Sequence, residues 1–305
     1  MRKRQLGVAV VLAMGVVAMA ALAATAMVTT QSTWSRENEL TADHVQAQTL
    51  IRAGADWARA ILGDDRRLSD IDYLGEPWAM RLPPMSVESG ELSGYIEDEQ
   101  GKFNVNNMIK GGKANPAQVA HFTRLLSLLG LPAGLAGSLV DWLDSDSEPQ
   151  PQGGAEDSAY ASQQPPYLAA NRAITDIAEL ALVQGFDDNA RRRLRPFLTA
   201  LPSFTTVNAN TAPAEVLAAI MDGLGLDAAR ELVAQRNRTY FRNRDDLLRQ
   251  LPQGVILAVE DISFGSDYFM ASLRVTIGGA QAHGSALLAR GTGTGWPNIV
   301  WSKTL

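Results

Sequence analysis

The sequence predicts an α+β fold in which one long N-terminal helix packs on a small antiparallel sheet, and a large all-helical block is inserted into that sheet. Three observations predict it. An apolar stretch from Leu6 to Val28 leads without a proline into a helical pattern that reaches Leu62. Strand-like segments occur at 92–105 and again after residue 268. The residues between them are helical in pattern almost throughout, and flanking strands must meet if they are to share one sheet.

The N-terminal element is argued from charge as well as length. No charged side chain occurs between Arg4 and Arg36, so residues 8–30 are long and apolar enough to cross a bilayer as a helix. Arg2, Lys3 and Arg4 precede that stretch, which places the N-terminus in the cytoplasm of an inner-membrane protein and everything beyond about Gln31 in the periplasm. A secretory signal peptide cut near Ala24–Ala26 is a competing reading. The basic leader 1–7, ending in Gly7 with the apolar run starting at Val8, resembles instead a type IV prepilin signal, cut after the glycine by a prepilin peptidase. In that class the fifth mature residue is usually a glutamate that neutralises a neighbouring subunit's N-terminal amine. Counted from Val8 that position is Leu12. A buried, unpaired ammonium costs several kcal/mol, so a subunit without the acid is a poor acceptor for another above it and suits a filament tip. Ordinary membrane-helix filler is the alternative reading of Leu12.

Beyond the membrane segment, Val45, Leu50, Ala53, Trp57 and Ile61 recur at near-helical spacing, and Gly63-Asp64 is expected to end the helix. The Pro-, Gly- and aromatic-rich stretch 68–89 is expected to be irregular. Leu92–Glu97 and Lys102–Val105 are expected to pair as strands across Glu99-Gln100-Gly101. Helices are predicted over 116–129, 133–142, 174–183, 190–198, 213–221, 227–237 and 244–250, with Asn115-Pro116 and Thr211-Ala-Pro213 as starts. The alternation of Phe269, Ala271, Leu273, Val275 and Ile277 with polar residues predicts a half-buried strand. Residues 282–290 and 298–303 follow across glycine turns, giving an antiparallel meander.

Composition narrows function. With 46% hydrophobic and 20% charged residues the chain is globular, and with no cysteine it has neither disulfides nor thiolate metal sites. The net charge of −6 becomes more negative once Arg2, Lys3 and Arg4 are removed, which argues against nucleic acid as partner. His44, His121 and His283 have no ligand or triad spacing, and no nucleophile-and-base pattern is evident, so an enzyme is not expected.

Three stretches carry a family resemblance. They are Asp98-Glu-Gln-Gly-Lys-Phe-Asn-Val-Asn106; Asp141-Trp-Leu-Asp-Ser-Asp146 followed by Gly154-Ala-Glu-Asp157, Tyr160, Pro166-Tyr167, Asn171 and Glu179-Leu180; and Val207-Asn-Ala-Asn-Thr-Ala-Pro-Ala-Glu-Val-Leu217 with Arg236 and Phe241. In this order, behind a prepilin-like start without the glutamate, they resemble the general secretion pathway protein K family of type II secretion. The resemblance implies a minor pseudopilin: a pseudopilin α/β part (31–106 and 255–305) around an inserted helical domain of two SAM-like parts, 107–202 and 203–254. It implies assembly with the minor pseudopilins I and J at the tip of a pseudopilus whose other subunits are H and the major pseudopilin G.

The second stretch is also a candidate cation site. Asp141, Asp144, Asp146, Glu148, Glu156 and Asp157 lie close in sequence, interrupted by Pro and Gly, and hard oxygen ligands suit calcium. Pro149 stands where an EF-hand needs glycine. The residues alone leave calcium and a solvated acidic loop open; the resemblance implies calcium, with Asp144, Asp146, Glu156 and Asp157 as ligands and Asp141 tied up beside Trp142. The third stretch is similar to a helix-hairpin-helix module, which offers a second reading as a membrane-anchored DNA-binding or uptake protein. Six arginines against six acidic residues over 207–254 give that reading no electrostatic footprint. Asn208 and Asn210 are expected to tie turn backbone and to cap the next helix.

Overall fold

The computed structural model describes residues 3–87, 90–291, 293 and 295–304, and for 3–7 the backbone alone. Helix α1 (Lys3–Leu68) spans 66 residues, about 100 Å at the usual helical rise. From Val8 to Ala42 every residue is exposed, and this half is long and apolar enough to cross a membrane. The other half packs on protein through Ala47, Ile51, Ala55, Ala58 and Leu62, which recur at helical spacing and are all buried. That is not the stripe expected from sequence: Val45 is 60% and Trp57 43% exposed, and the smaller alanine face meets the sheet because it lets helix and strands approach. Nor does Gly63 end the helix. A Cβ there would lie 3.0 Å from Trp296, so the glycine makes room for the 295–297 loop, held further by Arg59 Nε donating to the Pro297 carbonyl at 2.6 Å.

The main sheet has five antiparallel strands in the order β1 (Leu82–Val87), β2 (Gly90–Asp98), β9 (Tyr268–Ile277), β10 (Ala280–Ala289) and β11 (Asn298–Thr304). The C-terminal meander is therefore as the alternation predicts. Strand β1 falls in the stretch expected to be irregular. Its Pro83 and Pro84 cannot donate to a ladder, and it sits at the sheet edge with a register shift between Leu82 and Met85.

The expected hairpin over 92–105 does not form. Residues 99–101 make a 3-10 turn, capped by Asp98 accepting from Gln100 N at 2.8 Å. Strand β3 (Phe103–Asn104) then leaves the sheet, because Phe103 is buried in the insert and stacks on Phe122. There it pairs in parallel with β6 (Leu198–Thr199).

The insert continues with β4 (Ile109–Lys110), β5 (Lys113–Ala114), α2 (Pro116–Leu128), α3 (Leu135–Leu143), the single turn α4 (Asp157–Tyr160) and α5 (Asp188–Leu194). After β6 come β7 (Val207–Asn208), α6 (Ala214–Ile220), α7 (Leu226–Arg236), α8 (Arg244–Leu248) and β8 (Ile262–Ser263), which pairs in parallel with β7. The helix expected over 174–183 is a 3-10 segment, Ile177–Leu182. That expected over 190–198 stops at Leu194, two residues short of Pro196.

Two hydrophobic cores result. One unites α1 with the sheet, through Phe269, Leu273, Val275 and Leu288 among others. The other is continuous through both parts of the insert, from Phe103 to Ile262. The chain thus passes between cores at 99–102, a few residues before the expected limit of 107, and at 264–267, ten or more residues after that of 254.

Candidate functional site

At the two crossings lies a buried polar junction. Asp98, closing β2, accepts through Oδ2 from Asn208 Nδ2 at 3.0 Å, Thr211 Oγ1 at 2.6 Å and Ser266 Oγ at 2.7 Å. Asn208 also donates to the Asp72 carbonyl at 3.0 Å. Arg290, 7% exposed at the end of β10, spans Asp72 at 2.5 Å and Asp65 of α1 at 2.6 Å. Burial raises the pKa of Asp98, and that of Asp72 to about 7 despite the opposing pull of Arg290. Asp65, Asp72 and Glu76 therefore converge around an internal cation, the guanidinium. No local pattern flags Asp72, Ser266 or Arg290 as partners, because 218 positions separate Asp72 from Arg290.

The asparagines of the first and third stretches work as backbone clamps. Asn104 accepts from Leu201 N at 3.1 Å, and Asn106 binds Ile174 N and the carbonyls of Ile174 and Leu201. Asn208 accepts from Asn210 N at 2.9 Å, as expected for the turn. Asn210 does not cap α6; it exchanges hydrogen bonds with both backbone groups of Phe241, at 2.9 and 2.8 Å. Arg236, part of the third stretch, is buried and donates to the Ala209 carbonyl at 2.7 Å.

The acidic stretch folds back on itself over α3. Gly153, at φ +76°, lies against Gly134, where a Cβ would come within 2.3 Å of a carbonyl oxygen. Asp141, fully buried on α3, accepts from Gln150 N and, at 2.7 Å, from Ala155 N, so its carboxylate is committed to shaping the loop. Trp142 donates to Glu179 at 3.1 Å and meets Tyr160 edge-on at 5.0 Å, which fixes the wall behind.

This return brings Asp144, Asp146 and Glu156 together, with one oxygen of each within 4.8 Å of the others. Asp144 is 1% and Glu156 7% exposed, yet Asp144 Oδ1 and both Glu156 oxygens have no hydrogen-bond partner among the described residues. Asp146 is exposed and accepts from Glu148 N at 3.0 Å. Asp157 stands apart from the trio: its Oδ1 accepts from Ala169 N at 3.0 Å. Burial, then neighbouring carboxylates, pushes Glu156 up to about 7 and Asp144 to about 6. Three orphaned buried oxygens and an adjacent exposed carboxylate fit a hard divalent cation; without one, protonation relieves the charge.

At the other end of the molecule, Val8 and Leu12 lie on the exposed half of α1, 61% and 66% accessible. Gly7 is within the helix by its backbone, and leader residues 1 and 2 lie outside the described residues.

Profiles described as "Type II secretion system (T2SS), protein K" match residues 101–203 and 207–261. Type II secretion system protein K of Pseudomonas aeruginosa is 34% identical, across 95% of this chain and 90% of the relative. The chain belongs to the type II secretion system protein K family. Its counterpart in Klebsiella pneumoniae is 31% identical, over 95% and 94% of the two chains. In the crystal structure of the GspK-GspI-GspJ complex from the enterotoxigenic Escherichia coli Type 2 Secretion System, one chain superposes with a TM-score of 0.78 at 25% identity, covering 88% of this chain and 99% of that one. Membership of the protein K family carries the minor pseudopilin role expected from the sequence.

Proposed function

We propose that this minor pseudopilin caps the periplasmic pseudopilus together with the I and J minor pseudopilins and helps to start its assembly. In this reading α1 anchors the chain in the inner membrane, with the N-terminus cytoplasmic and the two-core body periplasmic. Prepilin peptidase cuts after Gly7, and H and the major pseudopilin G follow below. The two parts of the insert are SAM-like scaffold units held by the asparagine clamps. The observation that carries the reading is the match to a chain of a three-subunit GspK-GspI-GspJ complex, joined to an exposed apolar helix with Leu12 in place of an acid.

Calcium belongs to the same proposal. Asp144, Asp146 and Glu156 would hold it, and Asp141 would keep the loop in shape from behind. The ion supplies the positive charge that Arg290 supplies to the other acidic trio. The test of function is co-isolation of the detergent-extracted full-length protein from cells expressing the whole system. Recovery of the I and J pseudopilins in stoichiometric amounts is expected, and a clean monomer in their presence would refute the reading.

A further inference from the structure

Arginines on the helices of this chain commonly find a carboxylate three positions earlier. Arg59, Arg67, Arg191, Arg230 and Arg249 are paired in this way with Asp56, Asp64, Asp188, Asp227 and Asp246. The end of α5 departs from the pattern. Three positions before Arg192, Arg193 and Arg195 stand Asn189, Ala190 and Arg192, and Asp188, the acid one turn before Arg192, is held by Arg191. All three arginines are exposed and have no ion-pair or hydrogen-bond partner among the described residues. A helix dipole favours a cation in the last turn, but α5 is two turns long and Arg191 already stands there. Like charges this close repel one another. Packing fixes where they point. Ala190 and Leu194 on the other side of α5 are buried in the core of the insert, so the helix cannot roll to hide the arginines. The 3-10 segment Ile177–Leu182 packs on α5 and leaves Leu182 48% exposed, its carbonyl held by Tyr167 Oη at 2.9 Å.

We infer that this face of α5, with Arg192, Arg193 and Arg195, is where the insert binds a carboxylate-rich surface of a partner protein. The charge of the face selects an anionic occupant, and guanidinium forks meet carboxylates two hydrogen bonds at a time. A fixed apolar side chain beside arginines has the make-up of a protein interface, where arginine is enriched. A lipid surface fits less well. A helix that lies on a bilayer dips an apolar face into it, and α5 has its apolar residues turned inward. Basic lipid-binding segments adjoin a membrane helix, whereas α5 belongs to the core that includes no described residue of α1. The inference concerns the insert alone and does not depend on which subunits assemble around α1.

The detergent-extracted full-length protein is expected to bind a fluorescent oligoglutamate peptide with an affinity that falls as salt is raised. Neutralising the patch with Arg192→Gln, Arg193→Gln and Arg195→Gln together should weaken that binding at least about tenfold. Lysine at the same three positions keeps the charge and should retain the affinity within about threefold, and Arg230→Gln with Arg249→Gln, which removes paired arginines elsewhere, should leave it within about twofold. In membranes of cells expressing the complete system, a photo-crosslinking residue in place of the exposed Asn189 is expected to join a peptide rich in Asp and Glu from another protein. That adduct should vanish when the three arginines are glutamines. Equal peptide affinity in the glutamine variant and the wild type would overturn the inference, as would an equal loss in the glutamine and lysine variants. Adducts only to lipid or to a second copy of this chain, or an adduct that survives neutralisation, would overturn it too.

Discussion

Two acidic trios show how one residue decides the chemistry of a buried site. Asp65, Asp72 and Glu76 have Arg290 among them, and Glu76 also accepts from Tyr73 N and Trp78 Nε1. Asp144, Asp146 and Glu156 have no arginine or lysine partner among the described residues and leave three oxygens orphaned. A cation that binds only the folded state stabilises it by about 2.7 kcal/mol at a hundredfold excess over its dissociation constant. Calcium is therefore expected to raise the thermal midpoint of the wild-type protein, and Glu156→Gln to abolish most of that rise, as read by calorimetry with and without chelator. The pH dependence has a definite sign. Glu156 titrates near 7 when folded, against an ordinary 4.5, so between those values the ion-free folded protein holds more protons than the unfolded chain. Ion-free stability should accordingly rise as pH falls from 7.5 towards 5, while the stabilisation given by calcium shrinks over the same range. A calcium effect independent of pH, or intact in Glu156→Gln, would contradict this assignment.

Among the elements, those legible in the sequence owe their form to local patterns. Strand β9 follows from the alternation of Phe269 to Ile277, and α2 from Asn115-Pro116 ahead of an apolar periodicity. What was not legible depends on distant partners. Phe103 leaves the sheet for Phe122, β3 finds β6 almost a hundred positions later, and Gly63 yields to Trp296 from the far end of the chain. The candidate site divides in the same way. Gathering of Asp144, Asp146 and Glu156 was foreshadowed by their closeness in sequence, whereas Asp157 is diverted by the Ala169 amide and the Arg290 junction needs the finished topology. Within α1, Leu12 carries the functional expectation for the element. Leu12→Glu supplies the acid that an adjoining subunit's amine needs, so the variant should be accepted inside the filament. Its copy number per pseudopilus, measured by quantitative mass spectrometry, should rise above that of the wild-type protein. An unchanged ratio would mark Leu12 as filler.

At the scale of the whole molecule, the two cores are joined by short crossings sealed with the Asp98, Asn208, Ser266 and Asp72 network, and the sheet core is continuous with a helix that leaves the body naked and apolar. Exposing that much apolar helix is stable only in lipid or against other helices. In the function proposed above, a chain of this form delivers its folded body to the periplasmic side, into an assembly built around membrane-anchored stalks. The account therefore depends on the stalk remaining attached in the mature protein. Intact-mass and N-terminal peptide measurement of the protein taken from membranes tests this most directly. A mature chain that begins at Val8 and retains Leu12 is predicted, and one that begins near Thr25, released into the periplasm, would contradict it.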